Sequence, residues 1–268
     1  MLSRVQEIDQ VYLIDDFDPN KIYPSVKALK ELERMNSVSL NKNPSPWNNP
    51  NTSATKIMFM NCAGLEAHYE DIKIDYKIRH ADLISLLEIS LPNESEDKAY
   101  ELSGYSESFI KRGPGKGIVG FYKNDKFSKT DMISTDKYQV IKFQHNMMDI
   151  ISLYRSQIGN STLLMEDLHK LIDLNRITLV IGDLNACYRE NFSNKVIQGL
   201  KKIGFAQMIH DPTHIRGRII DHTYLLDPAK RLEISIERYS PYYTDHDAIC
   251  LSIEDQSKDA KQNLTDEQ

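Results

Sequence analysis

The chain has 268 residues, of which 40% are hydrophobic and 27% are charged, and its formal net charge is −6. This length and apolar content are enough for one large domain or two small ones with a substantial core. No apolar run reaches about 18 residues, which excludes a membrane-spanning helix. Three widely spaced cysteines without a CxxC pair argue against a disulfide framework or a structural zinc site.

Acidic residues lie near the amino terminus, where a secretory signal would need an apolar stretch. We therefore expect an intracellular protein, in the nucleus or the cytoplasm, that is neither secreted nor associated with a membrane. The cysteines then fit reduced, partly buried thiols.

The charge is unevenly distributed along the chain. Residues 111–129 contain six Lys or Arg against one Asp, and residues 195–218 contain five Lys or Arg against one Asp. Basic patches on a mildly acidic body are what a phosphate-facing surface needs. The alternative is that both segments are solvated faces that bind nothing, and charge alone favours that alternative.

In chain order, residues 1–55 are interpreted as an accessory N-terminal segment and linker. Residues 26–35 have the apolar spacing of a helix, and residues 41–55 are rich in Pro and Asn, which is typical of a linker. In residues 56–253, the main domain, apolar runs of strand length alternate with helical patterns. Residues 254–268 lack core-forming residues and are expected to be a disordered tail.

Nine apolar runs in the main domain are strand candidates, because they are rich in Ile, Val, Phe and Tyr. They cover residues 56–61, 81–89, 117–123, 138–144, 148–155, 177–183, 217–226, 231–237 and 247–253. Helices are predicted at residues 71–81, at 161–175 and at 193–203, the last closed by Gly204. Many strands and few helices predict an α/β sandwich, in which two packed sheets are flanked by helices.

Polar side chains follow or interrupt several of these apolar runs. Each alone has a structural explanation, since an Asp at a strand end usually forms a turn or a helix cap. Together they need a common destination, because polar groups at the edge of a core are costly unless they are bonded or used. Gathered at one rim of the sandwich, they would form a site with a metal ion, a general base and a histidine. They are Asn61, Glu88, Tyr154, Arg155, Asp183, Asn185, Asp221, Asp245 and His246.

The order and context of these residues resemble the endonuclease/exonuclease/phosphatase superfamily, and in particular the apurinic-endonuclease-like domains of non-LTR retrotransposons and related mobile elements. The matching segments, within residues 56–253, are FMNCAGL, ADLISLLEIS, GKGIVGFY, ISLYRSQ, VIGDLNA, GFAQMIHDPTHIRGRIIDHTYL and YYTDHDAICLSI. The pairing of GDLN with a terminal DH is fairly specific, and the PTH, IDH and DHDAI elements resemble mobile-element versions. The resemblance implies a DNase I-like fold, a four-layered α/β sandwich of two mixed, mainly antiparallel sheets flanked by helices.

The resemblance also implies a metal and a base. Glu88, helped by Asn61, would be the main ligand of a divalent ion, with Asp245 on the metal side or on the histidine network. A sparse set of oxygen ligands suits Mg²⁺, with Mn²⁺ as an expected substitute. Asp183 would take the proton of the attacking water, and Asn185 would hold a phosphate oxygen or the nucleophile.

On the histidine side, the resemblance implies that His246 donates to a phosphate oxygen and that Asp221 orients it and raises its pKa. Tyr154 would place its hydroxyl near the scissile phosphate. His222 is expected on the opposite face of its strand and is left out of the site. The expected substrate-binding residues are Thr213, Arg216, Arg218, Lys116 and Arg155.

The chain departs from the family pattern at several positions. Gln157 stands three positions after the tyrosine where the apurinic-endonuclease branch often has Asn, and Ala63 stands where an acid is frequent. Thr244 replaces the usual Ser before the final Asp-His. The segment around Tyr154 also lacks the second histidine of the secreted DNase and sphingomyelinase branches, which disfavours both.

The sequence therefore predicts a metal-dependent endonuclease that nicks DNA, of mobile-element origin and acting as a monomer, with DNA as its partner and other domains of a mobile-element polyprotein as a further possible partner. One alternative is a phosphatase or phosphodiesterase of the same superfamily that acts on RNA or small phosphoesters. A second alternative is an inactive nucleic-acid-binding module.

Overall fold

The structure of the chain, a computed structural model, describes residue 47 and residues 53–92, 100–190 and 193–256. These residues form twelve strands and four helices. The strands are β1 (Thr55–Asn61), β2 (Leu83–Leu87), β3 (Ser106–Ile110), β4 (Ile118–Tyr122), β5 (Phe127–Ser134), β6 (Tyr138–His145), β7 (Met148–Arg155), β8 (Ile177–Asp183), β9 (Ala206–Gln207), β10 (Asp221–Leu226), β11 (Leu232–Tyr239) and β12 (Ala248–Asp255). The helices are α1 (Leu65–Ile74), α2 (Tyr76–Arg79), α3 (Ser161–Leu171) and α4 (Lys195–Ile203).

The strands form two six-stranded sheets with the same pattern of pairing. Sheet A has the order β11-β12-β1-β2-β4-β3, and sheet B has the order β5-β6-β7-β8-β10-β9. The central pair of each sheet, β1 with β2 and β7 with β8, is parallel. The other neighbouring pairs are antiparallel. The prediction of two mixed, mainly antiparallel sheets is confirmed.

Apolar side chains fill three layers, as a four-layered sandwich requires. Phe59 and Phe143 belong to the layer between the two sheets. Met58, on the other face of β1, packs with Leu65 of α1 in a layer outside sheet A. Val180 of β8 packs in a third layer, with side chains of α3 and α4. The period of two along each strand thus assigns alternate residues to two different cores.

The two sheets approach closely near their centres. The hydroxyls of Ser85 on β2 and Ser152 on β7 are 2.5 Å apart, and both residues are fully buried. A Cβ at Gly120 on β4 would lie 2.3 Å from the ring of Phe143, so only glycine fits opposite that ring. The hydrogen bond between the two serines satisfies hydroxyls that would otherwise be costly to bury.

Asparagine side chains cap the first turns of α3 and α4. The side chain of Asn160 accepts from two backbone amides of α3, and Asn194 does the same for α4. Gly204 closes α4 with a φ of +110°, as the sequence predicts. None of the described helices combines the length and apolar character needed to cross a membrane.

The boundaries of two predicted helices were wrong. Instead of one helix over 71–81, α1 begins at Leu65 and ends at Ile74, and Asp75 then caps the short helix α2 through its side chain. Helix α3 ends at Leu171 and not at residue 175. Strands β3, β5 and β9 were not predicted from the sequence. In β5, residues 128–132 are exposed, so no apolar face marks the strand.

Trp47 lies in the predicted linker yet is buried in the layer outside sheet A. Its indole nitrogen donates to the carbonyl of Lys77 at 3.2 Å, and Nζ of Lys56 donates to the carbonyl of Trp47 at 2.7 Å. The packed domain therefore includes Trp47. The predicted helix at 26–35 and residues 257–268 of the predicted tail lie outside the described residues. The predicted start of the tail at residue 254 was wrong, because residues 254 and 255 belong to β12.

Candidate active site

Polar side chains at the carboxyl ends of the two parallel pairs face the space between the sheets. On β8, Asp183 continues the inward face of Leu179 and Ile181, and on β1, Asn61 continues the inward face of Phe59. Asp183 and Asn61 are buried, so both need hydrogen-bond partners. The polar residues at the ends of these core strands therefore lie together at this rim of the sandwich.

Strand register places three of the predicted residues in one row across sheet B. Tyr154 on β7 pairs with Asp183 on β8, which pairs with Asp221 on β10. Gly182 allows this spacing, since its φ is +140° and a Cβ there would lie 1.8 Å from the carbonyl oxygen of Leu153. Any side chain at position 182 would push β8 away from β7.

The carboxylate of Asp183 accepts three hydrogen bonds. Its Oδ1 accepts from the backbone amide of Asn185 at 2.7 Å, and its Oδ2 accepts from the side-chain amides of Asn61 at 3.1 Å and Asn185 at 3.2 Å. Asn185 has a left-handed backbone, with φ +47°, which turns its amide back toward Asp183. Burial, followed by the negative charge of Asp221, raises the pKa of Asp183. A carboxyl group with a raised pKa is a stronger base once it is ionised.

Asp221 and His246 form a buried pair beside Asp183. Nδ1 of His246 lies 2.9 Å and 3.1 Å from the two carboxylate oxygens of Asp221. Burial alone would lower the pKa of His246, but the hydrogen bond and the charge of Asp221 outweigh it and raise the pKa to about 9. His246 is therefore a cation at neutral pH, with Nε2 left to face the rim.

Thr213 supports this pair instead of facing outward. It is fully buried, and its hydroxyl donates to Oδ2 of Asp221 at 2.8 Å while accepting from the backbone amides of Ile220 and Asp221. Because no atom of Thr213 is exposed, Thr213 cannot make the phosphate contact that was expected from the sequence. Thr213 is better described as a positioning residue for Asp221.

Glu88 joins the same rim from sheet A. It directly follows Leu87, which pairs with Asn61 across β2 and β1. The hydroxyl of Tyr154 donates to Oε1 of Glu88 at 2.5 Å, and burial, followed by the charge of Glu88, raises the pKa of that hydroxyl. Glu88 also has a left-handed backbone, with φ +52°. Non-glycine residues in this region store strain that often marks a functional site.

The donor set around Glu88 fits a hard divalent ion. Among the described residues, Oε2 of Glu88 has no hydrogen-bond donor, and Oδ1 of Asn61 accepts only from the amide of Ala63, at 3.0 Å, which leaves it one lone pair. One carboxylate and one amide oxygen match the few protein ligands that Mg²⁺ takes when it keeps several waters. Glu88 and Asn61 are thus the residues that could hold it.

Asp245 belongs to the histidine side of the site. Its Oδ2 lies 3.0 Å from Nε2 of His214, and its Oδ1 lies 3.9 Å from Nε2 of His246. His214, Asp245 and His246 thus form a cluster of three potential ligands, as do Asp183, Asp221 and His246. Of the two places expected for Asp245, the geometry favours the histidine network over the metal.

The expected basic residues lie on either side of these carboxylates. Lys116 lies next to Glu88, since its carbonyl accepts from the amide of Ser90 at 2.9 Å. On the histidine side, Arg216 is exposed, and Arg218 has its Nε 3.8 Å from a carboxylate oxygen of Glu190. A substrate that spans both sides would meet positive charge at each end.

Arg155 has a different place. It is 6% exposed, and its guanidinium donates to the carbonyls of Leu184, Gly159 and Asn185. Burial lowers the pKa of the Arg155 side chain. The guanidinium holds the loop that carries Asn185 and has no free face toward the rim, so we take Arg155 out of the substrate-binding set.

Two supporting hydroxyls were missed by sequence reasoning. The hydroxyl of Thr244 donates to the carbonyl of Asn61 at 2.9 Å and accepts from the amide of His246 at 3.2 Å, which ties the His246 loop to β1. The hydroxyl of Ser90 accepts from the amide of Gly115 at 3.0 Å, which ties the basic segment 111–129 to the residues after Glu88. Thr244 had been noted only as a mild departure, and no sequence signal pointed to Ser90.

Comparisons with known proteins support the same architecture. No protein-family profile matches the sequence, and a search of curated proteins found no match. Solved structures do match. An AP endonuclease from Archaeoglobus fulgidus superposes with a TM-score of 0.58 at 17% identity, over 74% of this chain and 98% of the other.

Two further structures superpose equally well. The endonuclease domain of TRAS1, a telomere-specific non-LTR retrotransposon, has a TM-score of 0.58 at 13% identity, over 76% of this chain and 99% of its own. A 3′ phosphatase, NExo from Neisseria bound to product DNA hairpin, has a TM-score of 0.58 at 13% identity, over 75% of this chain and 100% of its own. At these identities the likeness establishes the fold alone, and the predicted DNase I-like α/β sandwich is confirmed.

Proposed function

We propose that this protein is a metal-dependent endonuclease that hydrolyses phosphodiester bonds of DNA. One observation carries the proposal: Glu88, Asp183 and the Asp221–His246 pair converge at one rim, although they come from both sheets. A base, a cationic donor and a candidate metal ligand at a single place are what phosphodiester hydrolysis by in-line attack requires.

The protein residues have distinct roles in this proposal. Asp183 accepts the proton of the attacking water, since it is the buried carboxylate held by Asn61 and Asn185. His246 donates from Nε2 to a non-bridging phosphate oxygen and stabilises the charge that develops there. Asp221 keeps His246 oriented and protonated. Asn185 directs the nucleophile or holds a phosphate oxygen.

Glu88 and Asn61 would hold the divalent ion, expected to be Mg²⁺ with Mn²⁺ as a substitute. When bound, it supplies a positive charge that polarises the phosphate. Tyr154 keeps the Glu88 carboxylate in place by donating to Oε1 at 2.5 Å, which leaves Oε2 without a donor among the described residues.

The placement of charge favours a polymeric substrate. Lys116 on one side of the rim and Arg216 with Arg218 on the other are spread more widely than a small phosphoester needs, and basic side chains that contact backbone phosphates position nucleic acids. The likeness to the TRAS1 endonuclease domain supports a mobile-element origin and a place in a longer polyprotein. We also propose an accessory N-terminal segment, a main domain that includes Trp47 and extends to Asp255, and a C-terminal tail, together with monomeric action and an intracellular site.

A second candidate is a phosphatase or phosphodiesterase that acts on RNA or small phosphoesters. The superposed NExo structure, which is named a 3′ phosphatase, favours keeping it. The two functions differ in product, since an endonuclease converts supercoiled plasmid to open circles and a phosphatase releases inorganic phosphate.

The test is a plasmid-nicking assay in Mg²⁺, with EDTA and Asp183→Asn as controls, beside phosphate release from a 3′-phosphorylated oligonucleotide. We expect nicking that EDTA abolishes and that Asp183→Asn lowers by roughly a thousandfold, the middle of the range for general-base catalysis. Phosphate release without nicking would favour the second candidate. DNA binding without either activity would favour an inactive binding module, and nicking by Asp183→Asn at the wild-type rate would refute the mechanism.

A further inference from the structure

His246 lies between two carboxylates. Asp221 bonds Nδ1 at 2.9 Å, and Asp245 presents Oδ1 to Nε2 at 3.9 Å, which is beyond hydrogen-bond length. In the proposed function, which this inference rests on, Nε2 must donate to a phosphate oxygen. A carboxylate that closed the gap of 3.9 Å would take that proton first. Something must therefore hold Asp245 back.

His214 is the residue that contacts Asp245. Its Nε2 lies 3.0 Å from Oδ2 of Asp245, on the side away from Oδ1. The ring of His214 packs edge-on against that of His246, with centroids 4.8 Å apart and planes at 84°. Backbone pairing fixes the arrangement, since His214 and His246 form an antiparallel bridge and the amide of Ile215 donates to the carbonyl of Asp245 at 2.9 Å.

The tautomer of His214 follows from the hydrogen bond that its other ring nitrogen, Nδ1, makes. Nδ1 accepts a hydrogen bond from the backbone amide of Arg216 at 3.0 Å, so Nδ1 carries no proton. The proton of the neutral ring is then on Nε2, and Nε2 donates to Asp245. Burial, followed by the charge of His246, lowers the pKa of His214, which agrees with a neutral ring.

The same tautomer argues against a metal in this cluster. His214, Asp245 and His246 offer ligand atoms within 4.8 Å of one another, a spacing that an ion could bridge. A histidine binds metal through an unprotonated nitrogen, but both ring nitrogens of His214 are already in use. One accepts from a backbone amide that cannot move independently of the chain, and the other carries the proton. We therefore interpret the cluster as a hydrogen bond that holds Asp245, not as a metal site.

We propose that His214 is a positioning residue that retains the carboxylate of Asp245 and so keeps Nε2 of His246 free for the phosphate. The side chain of Asp245 is 51% exposed, so it has room to turn once the bond to His214 is lost. It would then pair with the imidazolium of His246 and block it.

The test compares His214→Leu, which removes the donor, with His214→Gln, whose amide nitrogen can still donate to Asp245. We expect His214→Leu to lower kcat/KM for plasmid nicking roughly tenfold, and His214→Gln to stay within about threefold of wild type. Repeated in an Asp245→Asn background, His214→Leu should cost less than about twofold, because a neutral amide does not compete for the imidazolium. An equal loss in both backgrounds would refute the proposal.

A second measurement does not depend on activity. In the protein without metal and DNA, the Nε2 proton of His246 should exchange with water quickly in wild type and in His214→Gln, since no described residue offers it an acceptor within hydrogen-bond length. In His214→Leu it should become protected, which imidazole NMR detects. Unchanged exchange would overturn the proposal for His214. Absence of nicking by the wild-type protein would instead overturn the proposed function.

Discussion

The side-chain amide of Asn61 donates to Oδ2 of Asp183 at 3.1 Å, although Asn61 belongs to sheet A and Asp183 to sheet B. This bond links the candidate metal side of the rim, where Asn61 lies beside the segment of Glu88, to the candidate base. Removal of either partner would leave a buried polar group without its bond, which is costly. The two sheets therefore share one site.

Glu88→Gln should remove the response of the protein to Mg²⁺. The amide oxygen of Gln can still accept from Tyr154, so the fold should be kept, but the carboxylate charge is lost. We expect nicking at a fixed Mg²⁺ concentration to fall by roughly a hundredfold, and the rise in Tm on addition of Mg²⁺ to disappear. Glu107→Gln, an exposed position on β3, is the matched control. A wild-type Tm shift in Glu88→Gln would show that Glu88 is not a ligand.

Gly182→Ala should be strongly destabilising, because the new Cβ would lie 1.8 Å from the carbonyl oxygen of Leu153. We expect the free energy of unfolding in urea to fall by more than about 3 kcal/mol. Gly104→Ala is the matched control, since Gly104 also has a positive φ, +86°, but has no atom within 4 Å of the added Cβ. That variant should lose only about 1–2 kcal/mol, the cost of a left-handed backbone. Equal losses would show that backbone conformation, not the contact with β7, sets the requirement for glycine.

His222 should make stability depend on pH. It is buried on the outer face of β10, where its Nε2 donates to the carbonyl of Ala186 and its Nδ1 accepts from the amide of Gln207. The oxygen of that amide is held by the backbone amides of Met208 and Thr223, so the nitrogen must face Nδ1. Burial lowers the pKa of His222 to about 4, and the ring stays neutral.

Since this pKa lies below the ordinary value of 6.5, the unfolded chain binds the proton first as pH falls. The stabilisation is complete above pH 6.5 and is lost between there and about pH 4. Across that window wild type should lose roughly 3 kcal/mol more of its unfolding free energy than His222→Gln, measured by denaturation in urea at each pH. Parallel pH profiles for the two proteins would contradict a buried neutral His222.

Lys116→Ala and Arg216→Ala should each weaken DNA binding about equally for all sequences. Each removes one phosphate contact in the proposed complex, so the slope of log K against log salt should fall by about one. Lys170→Ala is the matched control, because its side chain is 73% exposed and it lies on α3, outside the rim. The slopes are measured as DNA binding by fluorescence anisotropy at several salt concentrations. A change of slope only in Lys170→Ala would place the DNA elsewhere.

The sequence determined the alternation of strands, the sandwich and the identity of the polar residues at strand ends. Each of these follows from local patterns, such as the period of two that places Asp183 on the same face as Ile181. The sequence also predicted that His222 and Asp221 lie on opposite faces of the sheet, since neighbouring residues on a strand alternate between the two faces. Edge strand β5 was not predicted because its exposed residues show no apolar alternation.

Only the tertiary structure decided how these residues are used. Thr213 and Arg155 are polar and lie near proposed catalytic residues in sequence, yet both are buried and support their neighbours. The roles of His214 and Ser90 depend on contacts with Asp245 and Gly115, which are distant in the chain. Hydrogen-bond partners are chosen by the packing of separate segments, whereas a sequence pattern reports only the neighbours along one strand or helix.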